Sequence, residues 1–226
     1  AELLSPEFAS VLTGRHLQLF VTPLNFTEFL KFKGVEVKNE RLWFVKNKNI
    51  LKNFSLQYLK SGGFPKVVLT KDEILRKELL SQYFEDILTK DIVDRYKVKD
   101  VGKLKNLALF YSTNFTRKYT FNKVKKMADF SLSLDSIHRF SHYLENSFLM
   151  DFVPRFSYSL KNQMQTDRKI YFADNGMHNA IAFKFSEDKG KLLENSVYHH
   201  LKGQKKEIFY FYEKQEVDFA CKTGLK

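Results

Sequence analysis

Two carboxylates near the end of the chain, Glu194 and Asp218, stand where acid chemistry could begin. Glu194 falls in the first turns of a helical pattern over residues 192–201. Asp218 sits in the strand-like run Gln215-Glu216-Val217-Asp218-Phe219, which follows another strand pattern at 208–212. On a strand, alternation places Asp218 and Glu216 on the face opposite Val217 and Phe219. On the helix, Leu193 and Val197 are four apart and are expected to face the core. Glu194 then lies about 100° round from Leu193, at the edge of the buried stripe. The two carboxylates are therefore expected to come together in the fold. Such a pair repels unless a cation or a raised pKa relieves it, and a shared Mg²⁺ requires a separation below about 8 Å. Glu194 and Asp218 are the candidate metal ligands, and no residue is assigned a catalytic role. The competing expectation is local, with Glu194 capping or pairing with Lys191 and Asp218 simply exposed.

A second group is basic. Residues 103–128 include Lys103, Lys105, Arg117, Lys118, Lys123, Lys125 and Lys126 and contain no Asp or Glu, in a chain of net charge +12 and pI near 9.5. A basic surface attracts phosphates at long range whatever the fold, which makes duplex DNA the first candidate partner. The candidate DNA contacts are Lys123, Lys125, Lys126, His138, Arg139, His142, Arg168 and Lys169. His138, Arg139 and His142 lie off the apolar stripe of a helix, where a recognition helix carries its polar contacts, while basic residues elsewhere fix register on phosphates. The six histidines show no metal spacing. His199 and His200 are adjacent and point apart. His138 and His142 are four apart, without the neighbouring Glu of a zinc-hydrolase motif. The single cysteine, Cys221, excludes an intramolecular disulfide and reads as a small core residue.

The elements that must position these groups are legible from periodicity. Residues 103–174 read as a winged helix, with three short helices followed by a two-stranded hairpin. Leu104, Leu107, Ala108 and Tyr111 line the first helix, residues 121–128 form the second, and Ser133 caps a third whose stripe is Ile137, Phe140, Leu144 and Phe148. The strand-like runs 148–159 and 169–172 flank a polar wing at 160–168. Upstream, residues 2–12 read as a helix and 16–22 as a strand. Asn25 and Glu28 have the spacing of a capping box, Gly62-Gly63 with Pro65 marks a tight turn, and residues 71–96 form a long amphipathic helix. The acids of that helix, Glu85, Asp86, Asp91 and Asp94, read as a solvated face with ion pairs to Lys90 and Arg95. No apolar run approaches the length of a membrane span, so no membrane partner is expected.

The sequence LLSPEFASVLTGRHLQLFVTPLNFTEFL resembles the stretch after the sensor strand in prokaryotic AAA+-like ATPases that carry a C-terminal domain of unknown function numbered 4143. Tyr58-Leu59, Ser61-Gly62-Gly63-Phe64-Pro65, Asp91-Ile92-Val93-Asp94-Arg95, IYFADNGMHNA from Ile170, Leu192-Leu193-Glu194-Asn195 and Glu216-Val217-Asp218-Phe219 extend the likeness. It implies an α+β, multidomain chain. Residues 1–60 would be an ATPase tail and linker, 61–102 a helical connector, 103–185 the winged helix, and 186–226 the truncated start of a restriction-endonuclease-like α/β domain of the PD-(D/E)xK type.

The same resemblance implies ATP and Mg²⁺ as cofactors of a full-length ATPase. The phosphate loop itself does not occur here, and Arg15 is the one nucleotide-binding candidate. In the nuclease-like layout Glu194 and Asp218 fit, but no acid-x-Lys strand follows and Lys222 is a poor stand-in. The chain alone is expected to be inactive both as ATPase and as nuclease. A cytoplasmic setting is the simplest expectation. The alternative is a non-catalytic winged helix that binds DNA or docks a protein, with self-association open.

Overall fold

The computed structural model describes residues 21–38, 41–127, 131–182 and 188–222. The first described helix, α1 (Phe26–Phe32), opens on the expected capping box: Asn25 Oδ1 accepts the Glu28 N–H at 3.0 Å and Glu28 Oε2 accepts the Asn25 N–H at 2.8 Å. Helices α2 (Arg41–Lys46) and α3 (Lys48–Ser61) lead to the turn at Gly62, whose φ of +72° is one that side chains with a Cβ rarely adopt. Pro65 then starts α4 (Pro65–Leu69).

Asp72 caps α5 (Glu73–Asp86), which runs on through a π-helical stretch, Ile87–Val93, into the short α6 (Asp94–Tyr96). The π stretch has a readable cause. The buried residues of α5 and the π stretch, Leu80, Phe84, Leu88 and Ile92, recur every fourth position, and on a helix of 3.6 residues per turn such a row drifts round the axis. Unwinding the helix locally keeps the row on one line. Of the acids on this rod, Asp86 pairs with Lys90 at 3.2 Å and Glu85 with Lys105 at 2.5 Å, so those two belong to a solvated face.

Next come α7 (Val101–Thr113), β1 (Lys118–Tyr119), α8 (Phe121–Met127), α9 (Leu134–Asn146), β2 (Met150–Pro154), α10 (Leu160–Gln165) and β3 (Arg168–Phe172). Leu104, Leu107, Ala108 and Tyr111 are fully buried, as their spacing predicts. Ser133 Oγ accepts the Ser136 N–H at 3.1 Å, the expected N-cap of α9. Helix α9 stops short of Phe148, whose φ of +57° turns the chain into β2. The expected wing holds the short helix α10 rather than a plain loop.

The three strands form an antiparallel sheet in the order β1-β3-β2, with Val153 opposite Lys169 and Pro154 opposite Arg168. The chain closes with α11 (Asn175–Ile181), α12 (Lys189–Gly203) and the hairpin β4 (Glu207–Tyr212) and β5 (Glu216–Lys222). The fold is α+β. Central strand β3 is covered on both faces. Ile170 and Phe172 join the core of α7 and α9, while Tyr171 packs with Val153 and Tyr198 toward α12.

One continuous core runs from Val67, Leu80, Phe84, Leu88 and Ile92 through Leu104, Tyr111, Ile137 and Phe172 to Leu192. The connector helices, the helix–hairpin unit and α12 therefore share a core. Among the described residues no helix is long and apolar enough to cross a membrane. The helix expected at 2–12, Arg15 and most of the strand expected at 16–22 lie outside the described residues. Val21 and Thr22 of that strand are described and are not in strand conformation.

Asp174 ties the two ends of this core together. It is buried, and it caps α11 by accepting the Met177 N–H at 2.9 Å while accepting the Gly63 N–H at 2.6 Å. Burial pushes its pKa up to about 6, against the opposing pull of the N–H groups of Gly63, Met177 and Gly176. A carboxyl raised in the folded state stabilises fully below its unfolded value of 3.8 and loses that contribution as pH rises through about 6. Relative to Asp174→Asn, the wild-type chain is expected to lose about 2–3 kcal/mol across that window. Urea unfolding at closely spaced pH values checks it, and parallel pH profiles for the two proteins would contradict it.

Candidate functional site

The chemistry gathers around the ammonium of Lys169. Its Nζ donates to Glu194 Oε1 at 2.8 Å, to Asp218 Oδ1 at 2.6 Å and to Glu216 Oε1 at 2.8 Å. An ammonium has three N–H donors, and here all three are used. Its side chain is only 2% exposed, against 18% for Glu194, 32% for Glu216 and 53% for Asp218. Glu216 also meets Lys118 at 2.7 Å, so three carboxylates face two ammonium groups. Tyr171, two residues along β3 and on the same face as Lys169, donates its hydroxyl to Glu194 Oε1 at 2.9 Å.

Local structure explains how each group arrives. Helix α12 is clasped to the end of β3 by Asn195, fully buried, which accepts the Phe172 N–H at 3.0 Å and donates to Phe172 O at 2.9 Å and Asn175 Oδ1 at 3.0 Å. This makes Leu192, Asn195 and Tyr198 the buried face of α12. The expectation that Leu193 and Val197 face the core is corrected. They are 57% and 39% exposed, because the Asn195 clasp and the Tyr171–Tyr198 stack at 4.2 Å set the phase of the helix instead. Glu194 still lands at the edge of the buried stripe, one residue from the clasp. On β5, alternation delivers Glu216 and Asp218 to one side, as expected.

Glu194 and Asp218 are thus brought together, both within 2.8 Å of one nitrogen and well inside the roughly 8 Å limit for a shared ion. The relieving cation is Lys169. Burial alone would lower its pKa, but the hydrogen bonds it donates to Asp218, Glu194 and Glu216 outweigh that effect and raise it, so the group is a fixed positive charge and not a base. The residues present do not fit a divalent ion alongside it. The ammonium already takes the inward oxygens of all three acids, and among the described residues no group of three or more His, Cys, Asp or Glu side chains could hold a metal. Placing Lys169 on a DNA-facing wing is likewise corrected: a buried ammonium with three carboxylate partners has no donor left for a phosphate.

The other basic candidates lie on exposed ground. Lys123, Lys125 and Lys126 project from α8 and His138, Arg139 and His142 from α9, all exposed. Phe121 gathers part of the set. The His138 ring lies 4.1 Å from it, and the Arg168 guanidinium carbon stands 5.8 Å from its centre. Lys123 Nζ lies 5.5 Å from the Tyr119 ring, and His142 Nε2 is within 3.1 Å of Asn146 Nδ2. His199 is half-buried, its Nε2 2.7 Å from Phe172 O, with burial lowering its pKa, while His200 pairs with Gln204 at the surface. Cys221 is half-buried with a free thiol.

Residues 54–188 match the model of a family described as a domain of unknown function, number 8612. The chain belongs to this family. It is similar to an uncharacterized protein of Methanocaldococcus jannaschii, 33% identical over 97% of this chain and 50% of the relative. It is also similar to one of Haemophilus influenzae, 30% identical over 99% of this chain and 54% of the relative. The chain thus spans about half the length of the curated relatives it matches. No solved structure matches. The span matched by the domain 8612 family model holds the exposed basic face and Lys169 with Tyr171, and ends before Glu194, Glu216 and Asp218.

Sequence reasoning missed Lys169, Tyr171 and Glu216 as members of the cluster, and Asn195 as the clasp that orients α12. One local signal was present. A Lys two residues before a Tyr, in a run that otherwise reads Ile-Tyr-Phe, puts a cation and a hydroxyl on one side of a strand too apolar to lie at the surface.

Proposed function

We propose that this chain is the C-terminal, DNA-binding portion of a prokaryotic AAA+-like ATP-binding protein. Residues 103–185 act as a winged helix on duplex DNA and residues 186–226 belong to a nuclease-like region. The observation that carries the reading is the exposed cationic face of α8 and α9, set beside a β2–β3 hairpin after three helices. Two successive helices followed by a hairpin suit the docking of α9 in the major groove, with Lys123, Lys125 and Lys126 on phosphates.

ATP and Mg²⁺ belong in this reading to another module of a longer, cytoplasmic ATPase, and no described residue is asked to hold either. The nuclease-like region contributes structure here, because Lys169 occupies its acids. A docking role is the second reading. It is favoured by an apolar concavity of about 480 Å³ against Ile74, Leu80 and Ala180, rimmed by Lys60, Arg76 and Lys77.

Fluorescence anisotropy with a labelled duplex tests the proposal. Neutralising Z phosphates makes log K fall with log salt at a slope of about −0.9Z. Replacing Lys123, Lys125 and Lys126 together by Ala is expected to flatten that slope by about 2–3, with little dependence on DNA sequence. An unchanged slope, or no binding at low salt, would favour the docking reading.

A further inference from the structure

Strand alternation separates two neighbouring cations of β3. Lys169 points to the side where Glu194, Glu216 and Asp218 converge. Arg168 points to the other side, over Phe121, and there no carboxylate meets it. Among the described residues Arg168 makes no ion pair and its guanidinium donates no hydrogen bond, although it is half-buried. Glu145 is near enough to feel its charge without pairing with it, and Asp167, the next residue, is engaged by the Tyr210 hydroxyl at 2.6 Å.

The guanidinium borders a concavity of about 240 Å³ between α8, α9 and the start of β3, lined by Tyr119, Phe121, Asn122, His138, Thr166 and Arg168 among others. No acid is on its wall. A half-buried guanidinium is costly without an acceptor, and its planar fork matches a tetrahedral oxyanion. The volume lies below the roughly 300–1,000 Å³ of pockets that hold whole drug-sized molecules, so it suits a single group.

The geometry points to a phosphate-binding pocket here. Arg168 supplies the bidentate contact, His138 and Asn122 line the wall, and Phe121 is the apolar floor on which the guanidinium rests. This deepens the DNA-binding reading and rests on it for the source of the phosphate, which would be the nucleic-acid backbone. Free phosphate shares the chemistry. The pocket would fix the register of α9 on DNA through a backbone contact and would carry no base preference of its own.

The test has two arms on the full chain. In the first, Arg168→Gln is compared with wild type in duplex binding across a salt series. The expected result is a log–log slope shallower by about 0.9 with an unchanged melting temperature. In the second, inorganic phosphate is titrated against wild type at constant ionic strength in chloride, following the His138 ring and the Arg168 side-chain N–H by NMR. Saturable shifts at both are expected, and their loss in His138→Ala, an exposed helix position, covers the case in which the Arg168 variant fails to fold. If wild type binds DNA with the same slope with or without Arg168, and phosphate moves neither group, the pocket is overturned while the DNA reading stands. If wild type ignores DNA yet phosphate shifts both groups, the DNA reading falls and the pocket stands, with free phosphate as its ligand.

Discussion

Replacing Lys169 by Met is expected to remove about 3 kcal/mol of folding stability, the lower end of the 3–5 kcal/mol seen when one member of a buried charge pair is taken away. The cost comes from what remains. Glu194, Glu216 and Asp218 would face each other with their common cation gone, and Glu194, 18% exposed, has the least water to turn to. Asp218 and Glu216 are more exposed and relax into solvent, which keeps the loss from the upper end.

Guanidinium denaturation measures the effect, and adding Glu194→Gln to the Met variant should restore part of it by removing one unpaired charge. Mg²⁺ separates the cation reading from a metal reading. In wild type it should leave the unfolding midpoint unchanged, because Lys169 occupies the acids. A midpoint that rises with Mg²⁺ in wild type would show that the lysine yields to a metal. On the acid side Glu216 sets the sign. Burial would raise its pKa, but hydrogen bonds from Lys118 and Lys169 lower it, so its stabilising contribution is present above 4.5 and is lost as pH falls through its lower folded value.

The second large effect belongs to Gly176. A Cβ there would stand 2.1 Å from the Ser61 carbonyl oxygen and 2.9 Å from the Gly62 nitrogen. Both are backbone atoms at the end of α3, held by the Gly63–Asp174 bond, so neither can swing aside as a side-chain tip would. Helix α11 would have to back away from α3, opening the core between them. Gly176→Ala is expected to cost more than about 3 kcal/mol, beyond ordinary overpacking, or to prevent folding. Gly102→Ala on α7, where a Cβ meets nothing within 4 Å, is the matched control and should be neutral or slightly stabilising. Equal stability of the two variants would contradict the packing described between α3 and α11.

What the sequence made legible was local. The capping box at Asn25, the cap at Ser133 and the stripe of α7 depend on residues three or four apart, and each appears as read. Lys169 was misplaced because its partners lie between 25 and 49 residues downstream, and no local pattern brings an isolated lysine to a helix edge and a strand that far away. The buried face of α12 was misread for a related reason. Its phase is set by Asn195, a polar residue that periodicity counts as surface but that is held inside by three backbone and side-chain groups of β3 and α11. Arg168 and Lys169 look alike in sequence. The pleat of β3 sends one to a cage of acids and the other to an open pocket.

The most direct test of DNA binding through the α8–α9 face is an NMR titration of the labelled chain with a short duplex at low salt. The account predicts shifts concentrated on Lys123, Lys125, Lys126, His138, Arg139, His142 and Arg168, with the Lys169 ammonium and the Glu194 carboxylate unmoved and every shift collapsing as salt is raised. Shifts centred instead on the concavity beside Ile74 and Arg76, or none at all, would contradict it.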